Sequence, residues 1–252
     1  MFKSNFHRLK KIAIGLVGFC LFWIFLQAVT IFWATRGMDY SLGSFQQQNE
    51  HPTLKIIFLG DSTAVGVGSQ SPQTSTAGWF AKDFPEALID NISQSGLRLA
   101  GLHNKLKEIK RDDYDLAVLQ IGANDIMRLT PLTSIDREVR SILAFLKNKA
   151  RTIVILHSGD VGTATIFIWP FNRILSQRSY QVREIYKKAT RDFGASYVDL
   201  IQYNSDRLFI DDQKKYYAPD HLHLSGDGYF IWYQAIRFTL KQNAPSALDI
   251  FG

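Results

Sequence analysis

The sequence predicts an α/β protein whose parallel β-sheet is covered by helices on both faces. Five short, largely apolar runs, the first of them rich in β-branched residues and Phe, alternate with longer segments that carry apolar residues at helical spacing. Continuously apolar strands are typical of parallel sheets, because both of their faces are buried. The alternation therefore indicates a doubly wound sheet, in which ligands bind beyond the carboxyl ends of the strands.

Glycine, proline or small polar residues bound the predicted elements. The strands cover residues 54–59, 88–93, 115–121, 152–156 and 195–200. The helices cover residues 77–84, 97–109, 133–146, 174–192 and 229–240. The apolar and aromatic stretch 161–173 has no clean period and fits either the wall of a substrate pocket or ordinary core packing.

Residues 12–34 form a run of 23 positions without a charged side chain. As a helix this run spans ~30 Å, the thickness of a bilayer's hydrocarbon core. Basic residues precede it, which predicts a cytoplasmic N-terminus. We therefore expect residues 1–36 to be a single-pass signal anchor that holds the body on the extracytoplasmic (periplasmic or cell-surface) side. The alternatives are a signal peptide cleaved near Ala28 and a buried helix of a soluble protein.

The composition of the remaining chain separates a linker from a folded body. Residues 37–53 have linker composition, and residues 54–252 form the predicted domain. The net charge of +6 arises mainly in residues 1–36, which hold five basic residues and no acidic one. The body is nearly neutral, so no nucleic-acid partner is expected. Because Cys20 is the only cysteine, an intramolecular disulfide and a cysteine-based metal cluster are excluded.

Chemically competent residues follow four of the five predicted strands. Because the carboxyl ends of parallel strands share one edge of the sheet, these residues are expected to meet there. They are Asp61 and Ser62 after the first strand, Gly96 after the second, Asn124 after the third, and Asp220 and His223 after the fifth.

These residue types suit nucleophilic catalysis. A serine hydroxyl such as that of Ser62 needs a base, which His223 supplies, and Asp220 can orient the imidazole from the same loop. The candidate oxyanion donors are the backbone N–H groups of Ser62 and Gly96 and the side-chain amide of Asn124. The structural alternative is a tight turn whose polar residues only cap the next helix.

The motifs resemble those of the SGNH, or GDSL, hydrolase family. The matching blocks are Gly60-Asp61-Ser62, Gly96, Gly122-Ala123-Asn124-Asp125 and Asp220-His221-Leu222-His223, and the resemblance runs from about Leu54 to about Leu240. It implies a flavodoxin-like three-layer α/β/α sandwich with a five-stranded parallel sheet, no cofactor, and hydrolysis of esters or thioesters.

The resemblance also assigns roles. It implies Ser62 as nucleophile, His223 as base and Asp220 as the orienting acid, with Ser62, Gly96 and Asn124 forming the oxyanion hole. The last block departs from the family, which often has Gly after the Asp and Pro after the His. Here those places hold His221 and Leu224. Two histidines leave the base open; spacing favours His223 and makes His221 a surface residue or one beside the site.

Three further alternatives stay open. His221 and His223, with Asp220 or Asp227, fit a metal site. An inactive, membrane-tethered binding module would keep the fold without the chemistry. His157 and Asp160, after the fourth strand, either line the cleft or have a structural role.

The expected function is that of a membrane-anchored serine esterase. Lipid esters such as lysophospholipids are the leading substrates, because the anchor holds the cleft near lipid and residues 161–173 are apolar. The second substrate class is an acetylated cell-surface polysaccharide, which requires a small acyl pocket and a polar groove.

Overall fold

The computed structural model describes residues 2–36, 38, 41, 43–202 and 205–243. A five-stranded parallel sheet lies at the centre, in the order β2-β1-β3-β4-β5. This is the flavodoxin-like order, which places the topological switch point between β1 and β3. The strands are β1 (Leu54–Gly60), β2 (Ala87–Asn91), β3 (Tyr114–Gln120), β4 (Ala150–Leu156) and β5 (Ser196–Tyr197).

Helices connect the strands and cover the sheet. They are α1 (Phe2–Thr35), α2 (Ser62–Val65), α3 (Thr76–Asp83), α4 (Leu99–Leu106), α5 (Ala123–Met127), α6 (Leu132–Leu146), α7 (Phe171–Phe193), α8 (Ser205–Asp211), α9 (Gln213–Tyr216) and α10 (Gly226–Asn243). Two short 3-10 turns cover Pro72–Thr74 and Val161–Thr163.

Two hydrophobic cores lie on opposite faces of the sheet. Along β1, Ile56 and Phe58 point into a core shared with α3 and α10, while Ile57 and Leu59 point into a core shared with α4, α6 and α7. This alternation follows from the two-residue period of a strand. The expected three-layer α/β/α sandwich with five parallel strands is confirmed.

Several predicted boundaries differ from the structure by two or three residues; α4, for example, covers Leu99–Leu106 rather than 97–109. β5 has only two residues, although Val198 and Leu200 beyond it stay buried. α7 begins at Phe171, directly after Pro170, which is three residues earlier than predicted. Proline fits this helix start because it lacks an N–H group, which the first turn would leave unpaired in any case.

The N-terminal helix stands largely apart from the two cores. Its segment Lys10–Thr35 is long and apolar enough to cross a membrane, and only 6% of its most apolar window is buried in the protein. A helix so little buried does not fit the core of a soluble protein.

Part of the predicted linker is attached to the body. Gln47 pairs with Ile89 in an antiparallel bridge at the edge of β2, and its side-chain amide donates to the carbonyl of Ala87 at 2.7 Å. The linker positions 37, 39, 40 and 42 and the predicted domain's positions 203–204 and 244–252 lie outside the described residues.

Candidate active site

Ser62 lies immediately beyond the carboxyl end of β1. The strand ends at Gly60, whose φ is +155°. A Cβ at this position would lie 1.9 Å from the carbonyl oxygen of Gln120 on β3, so only glycine lets the two strands approach here. The next turn delivers Ser62 as the first residue of α2, at the switch point of the sheet.

Asp61 shapes this turn. It is fully buried and caps α2: its Oδ1 accepts the backbone N–H of Thr63 at 3.0 Å and the Thr63 hydroxyl at 2.8 Å. Its Oδ2 accepts the N–H of Gly122, just after β3, at 3.3 Å. Burial raises the pKa of Asp61, and these hydrogen bonds oppose the rise. Asp61 therefore ties the β1 and β3 loops together.

Three of the predicted residues form a continuous hydrogen-bonded chain. His223 Nε2 lies 2.9 Å from Ser62 Oγ, and His223 Nδ1 lies 2.6 Å from Asp220 Oδ2. The other carboxylate oxygen of Asp220 accepts the backbone N–H groups of Leu222 and His223 at 3.0 and 2.9 Å. The short 220–223 turn thus holds the carboxylate and the imidazole in one fixed relation.

The surroundings of Asp220 favour its ionised form. The carboxylate is fully buried, and burial alone would raise its pKa. The hydrogen bond and the charge of His223 outweigh that effect and, together with the two backbone N–H groups, lower the pKa below its ordinary value. An ionised Asp220 accepts the Nδ1 proton of His223 and leaves Nε2 free to accept from Ser62.

Two of the three predicted oxyanion donors are available. Within the described chain, the backbone N–H groups of Ser62 and Gly96 have no acceptor. Gly96 is exposed and has φ +77°, a conformation that favours glycine; a Cβ there would meet no protein atom within 4 Å. Glycine is required at this position by backbone conformation.

The third predicted donor joins two loops. The side-chain amide of Asn124 donates to the carbonyl of Leu97 at 3.1 Å, which uses one of its two N–H bonds. The neighbouring Asp125 accepts the N–H of Leu99, the first residue of α4, at 2.9 Å. These bonds fasten the loop that carries Gly96 to the end of β3.

Comparison with known proteins identifies the family. Residues 58–231 match the GDSL-like Lipase/Acylhydrolase family. The chain belongs to this family. A GDSL-like esterase of Mycobacterium tuberculosis is 22% identical over 202 residues, which cover 77% of this chain and 64% of the relative's length. The chain thus spans less than two thirds of that curated relative.

Solved structures of low sequence identity share the fold. Phospholipase A1 from Streptomyces albidoflavus has a TM-score of 0.59 and 15% identity, covering 73% of this chain and 98% of its own. The acetylxylan esterase Axe2 from Geobacillus stearothermophilus has a TM-score of 0.52 and 20% identity, and the match covers 81% of this chain and 96% of Axe2. Membership of the GDSL-like family, with these relatives, supports an esterase.

In this GDSL-like protein a small, mostly apolar pocket adjoins Ser62 and His223. Its volume is about 50 Å³. Several lining residues that the sequence analysis did not single out lie on α5, α8 and α10. The lining includes Ala123, Met127, Ser158, Asp160, Val161, Ala164, Phe209, Leu222, Leu224 and Trp232.

The two residues after β4 have different surroundings. His157 is buried behind the site, where Tyr197 contacts its Nδ1 at 3.1 Å and the Ser179 carbonyl contacts its Nε2 at 3.3 Å. Burial lowers its pKa to about 4. Asp160 lines the pocket and caps the 161–163 turn by accepting the N–H of Gly162 at 2.9 Å. Burial raises the pKa of Asp160.

The metal alternative finds little support in the donor geometry. His221 is exposed, with φ +57°, and both ring nitrogens of His223 already have partners. In the part of the chain that the structure describes, no three His, Cys, Asp or Glu side chains are grouped to hold a metal ion.

Proposed function

We propose that this protein is a membrane-anchored serine esterase that cleaves short acyl groups from carboxylic esters. One observation carries the proposal: the unbroken chain from Asp220 through His223 to the Ser62 hydroxyl, with 2.6 and 2.9 Å between its atoms. A serine at this distance from a neutral, carboxylate-oriented imidazole is an activated nucleophile.

The proposed reaction passes through an acyl-enzyme. His223 Nε2 takes the Ser62 proton as Oγ attacks the ester carbonyl, and Asp220 stabilises the imidazolium that forms. The N–H groups of Ser62 and Gly96 and the amide of Asn124 donate to the oxyanion. His223 then protonates the departing alkoxide, and a water molecule activated by the same imidazole releases the acyl group as a carboxylic acid.

The size of the pocket supports a short acyl group. A volume of about 50 Å³ leaves room for only a small acyl group. A larger groove of about 840 Å³, which shares Tyr217 with the pocket, is lined by polar and aromatic residues that include Gln70, Trp79 and Lys215. A small acyl pocket beside such a groove favours O-acetylated sugars as substrates.

Lipid esters remain the second candidate. The apolar lining of the pocket supports them, as does the apolar helix α1, which would keep the cleft at a bilayer. Lysophospholipids were the leading expectation from the sequence, and the small pocket volume now makes them the weaker of the two.

A graded ester series separates the candidates. Full-length protein in detergent is assayed with aryl esters of two to twelve acyl carbons and with an acetylated oligosaccharide. We expect the highest kcat/KM with two to four carbons, and release of acetate from the sugar. A preference for eight or more carbons would contradict the short-acyl proposal and favour lipid esters.

The role of Ser62 is tested by substitution. Ser62→Ala should lower kcat at least 10³-fold, because the nucleophile is lost, and should abolish labelling by a serine-directed fluorophosphonate. Ser134→Ala, which removes a hydroxyl at the start of α6, is the matched control and should keep full activity. Unlabelled native protein would favour an inactive binding module, and an active Ser62→Ala variant would refute the nucleophile assignment.

We further propose that α1 stays attached as the anchor, with the body on the extracytoplasmic side. The basic residues that precede the span support this orientation. A contact between Gln27 of α1 and the body supports retention of the helix, because a signal peptide has no reason to pack against the mature domain.

A further inference from the structure

The outer part of α1 packs against the loop 164–170 of the body. The Gln27 side chain is 7% exposed and forms two hydrogen bonds to this loop. Its Nε2 donates to the carbonyl of Ile166 at 2.8 Å, and its Oε1 accepts the N–H of Ile168 at 3.0 Å. One turn earlier, the ring of Trp23 meets the edge of Trp169, with centroids 5.4 Å apart.

These contacts lie well inside the candidate membrane span. Gln27 and Trp23 are eight and twelve residues before the end of α1 at Thr35. At 1.5 Å per residue they lie about 12 and 18 Å from that end, whereas half of a hydrocarbon core is about 15 Å thick. Gln27 thus lies in the outer half of the span and Trp23 near its middle, so a loop that contacts both residues shares the span with the helix.

Most of the body's exposed large apolar side chains come from the segments that follow β3, β4 and β5. Phe238 on α10 is the exception among the large ones in the described body. An exposed apolar patch marks a surface that contacts something apolar. The side chains after β3, β4 and β5 are Leu129, Trp169, Ile174, Tyr180, Leu208 and Ile210.

This apolar surface adjoins the pocket. Both α7 and α8 pack against the turn Val161–Thr163, and that turn lines the pocket beside Ser62. The loop 164–170 continues directly from the turn. Its position relative to α1 therefore fixes where the pocket lies relative to the span.

Part of the loop's backbone is already paired by hydrogen bonds. A non-helical loop is tolerated in hydrocarbon only where its polar groups are paired. Ile166 N–H bonds the carbonyl of His221 at 3.4 Å, and Phe167 N–H bonds that of Ala164 at 3.1 Å. Gln27 pairs two further groups, the Ile166 carbonyl and the Ile168 N–H, which would otherwise face lipid.

We propose that the loop 164–170 and the first turn of α7 are embedded in the bilayer leaflet next to the body, so that the pocket opens at the membrane surface. The partner of this apolar surface is the lipid bilayer. Gln27 fixes the depth of the loop 164–170 in the leaflet by bonding it to α1. The inference rests on the anchoring proposed above and is independent of the acyl group. Arg173, exposed in the first turn of α7, suits the headgroup zone.

Fluorescent labelling tests the depth of the loop. Cys20→Ser removes the only cysteine, and Ile174→Cys then carries an environment-sensitive NBD label. Lys107→Cys, exposed at the end of α4 on the opposite edge of the sheet, carries the control label. Full-length protein is reconstituted into phosphatidylcholine–phosphatidylglycerol vesicles with and without doxyl-labelled lipid, and vesicle flotation is scored in the same samples.

The expected result is blue-shifted emission at position 174, with at least twofold quenching by doxyl lipid, and no quenching at position 107. Vesicles that float with the protein while both labels emit as in water would overturn the embedded loop and leave the anchor standing. Protein that does not float would overturn the anchor and the inference together.

Two substitutions in α1 test the role of Gln27. Gln27→Met removes both bonds to the loop and keeps the helix apolar, so flotation should persist while quenching at position 174 falls at least twofold. Thr30→Val is the control, because the Thr30 hydroxyl bonds only the Leu26 carbonyl of its own helix. Equal quenching in Gln27→Met and native protein would overturn the assignment of Gln27.

Discussion

Asp220 has no exposed surface, and both of its oxygens accept hydrogen bonds from the loop that carries His223. In Asp220→Asn an amide replaces the carboxylate. The amide can donate an N–H to Nδ1 of His223 and thereby favour the wrong imidazole tautomer. We expect kcat for an aryl acetate to fall about 10³–10⁴-fold while KM changes little. Asp112→Asn, at an exposed carboxylate, is the control. A variant with more than a tenth of native kcat would contradict this role for Asp220.

At the scale of residues, the sequence predicts which polar residues at strand ends meet. Ser62, Asp220 and His223 are predictable because parallel strands bring their following loops to one edge. The contact between Gln27 and Ile166 is not predictable, since these residues are 139 positions apart and their contact depends on how α1 docks on the body. Its only signal is a polar residue inside an apolar run.

At the scale of elements, all five strands are predictable because each is a short, largely apolar run that is followed by a glycine or polar residues. The length of β5 is not, since its pairing stops after Tyr197 while burial continues to Leu200. The conformation of residues 161–170 is also not predictable from sequence periodicity. This conformation depends on partners from α1 and the 220–223 turn, which local sequence does not encode.

The connection between β4, α7 and β5 contains a buried histidine that should make stability pH-dependent. His157 is 1% exposed and its pKa falls from 6.5 to about 4 in the folded protein. Between about pH 6.5 and pH 4, His157 therefore binds a proton in the unfolded chain but not in the folded one. Stability should fall as the pH drops through this window, by about 3 kcal/mol at pH 4.

Urea unfolding of full-length protein in detergent, from pH 7.5 to 4, measures this effect. His157→Asn keeps a polar group for Tyr197 and Ser179 but cannot titrate. The variant should be less stable at neutral pH, and its stability should lose less between pH 7.5 and 4 because it lacks the His157 contribution. Carboxylates contribute equally to the pH dependence of both proteins. Identical pH slopes for the two proteins would rule out His157 as the source.

At the scale of the whole molecule, composition separates an apolar helix, a linker and a neutral body, and it predicts them as independent parts. In the structure both the linker and the apolar helix contact the body. Gln47 of the linker pairs with the edge of β2, and α1 bonds the loop beside the pocket. Composition cannot show such contacts, because it records how apolar a segment is but not which side chains on it have partners.

The bond from Gln27 to the body leads to a prediction about processing. Cleavage near Ala28 would leave the Ile166 carbonyl and Ile168 N–H without their partner, so we expect the mature protein to retain residues 10–35. Peptide mapping of protein from membranes should recover residues 10–35, and the protein should resist carbonate extraction. Leu21→Arg combined with Phe25→Arg should release it, since each central arginine costs about 3 kcal/mol of insertion. A shorter mature chain that lacks the first 28 residues would show that the helix is a cleaved signal.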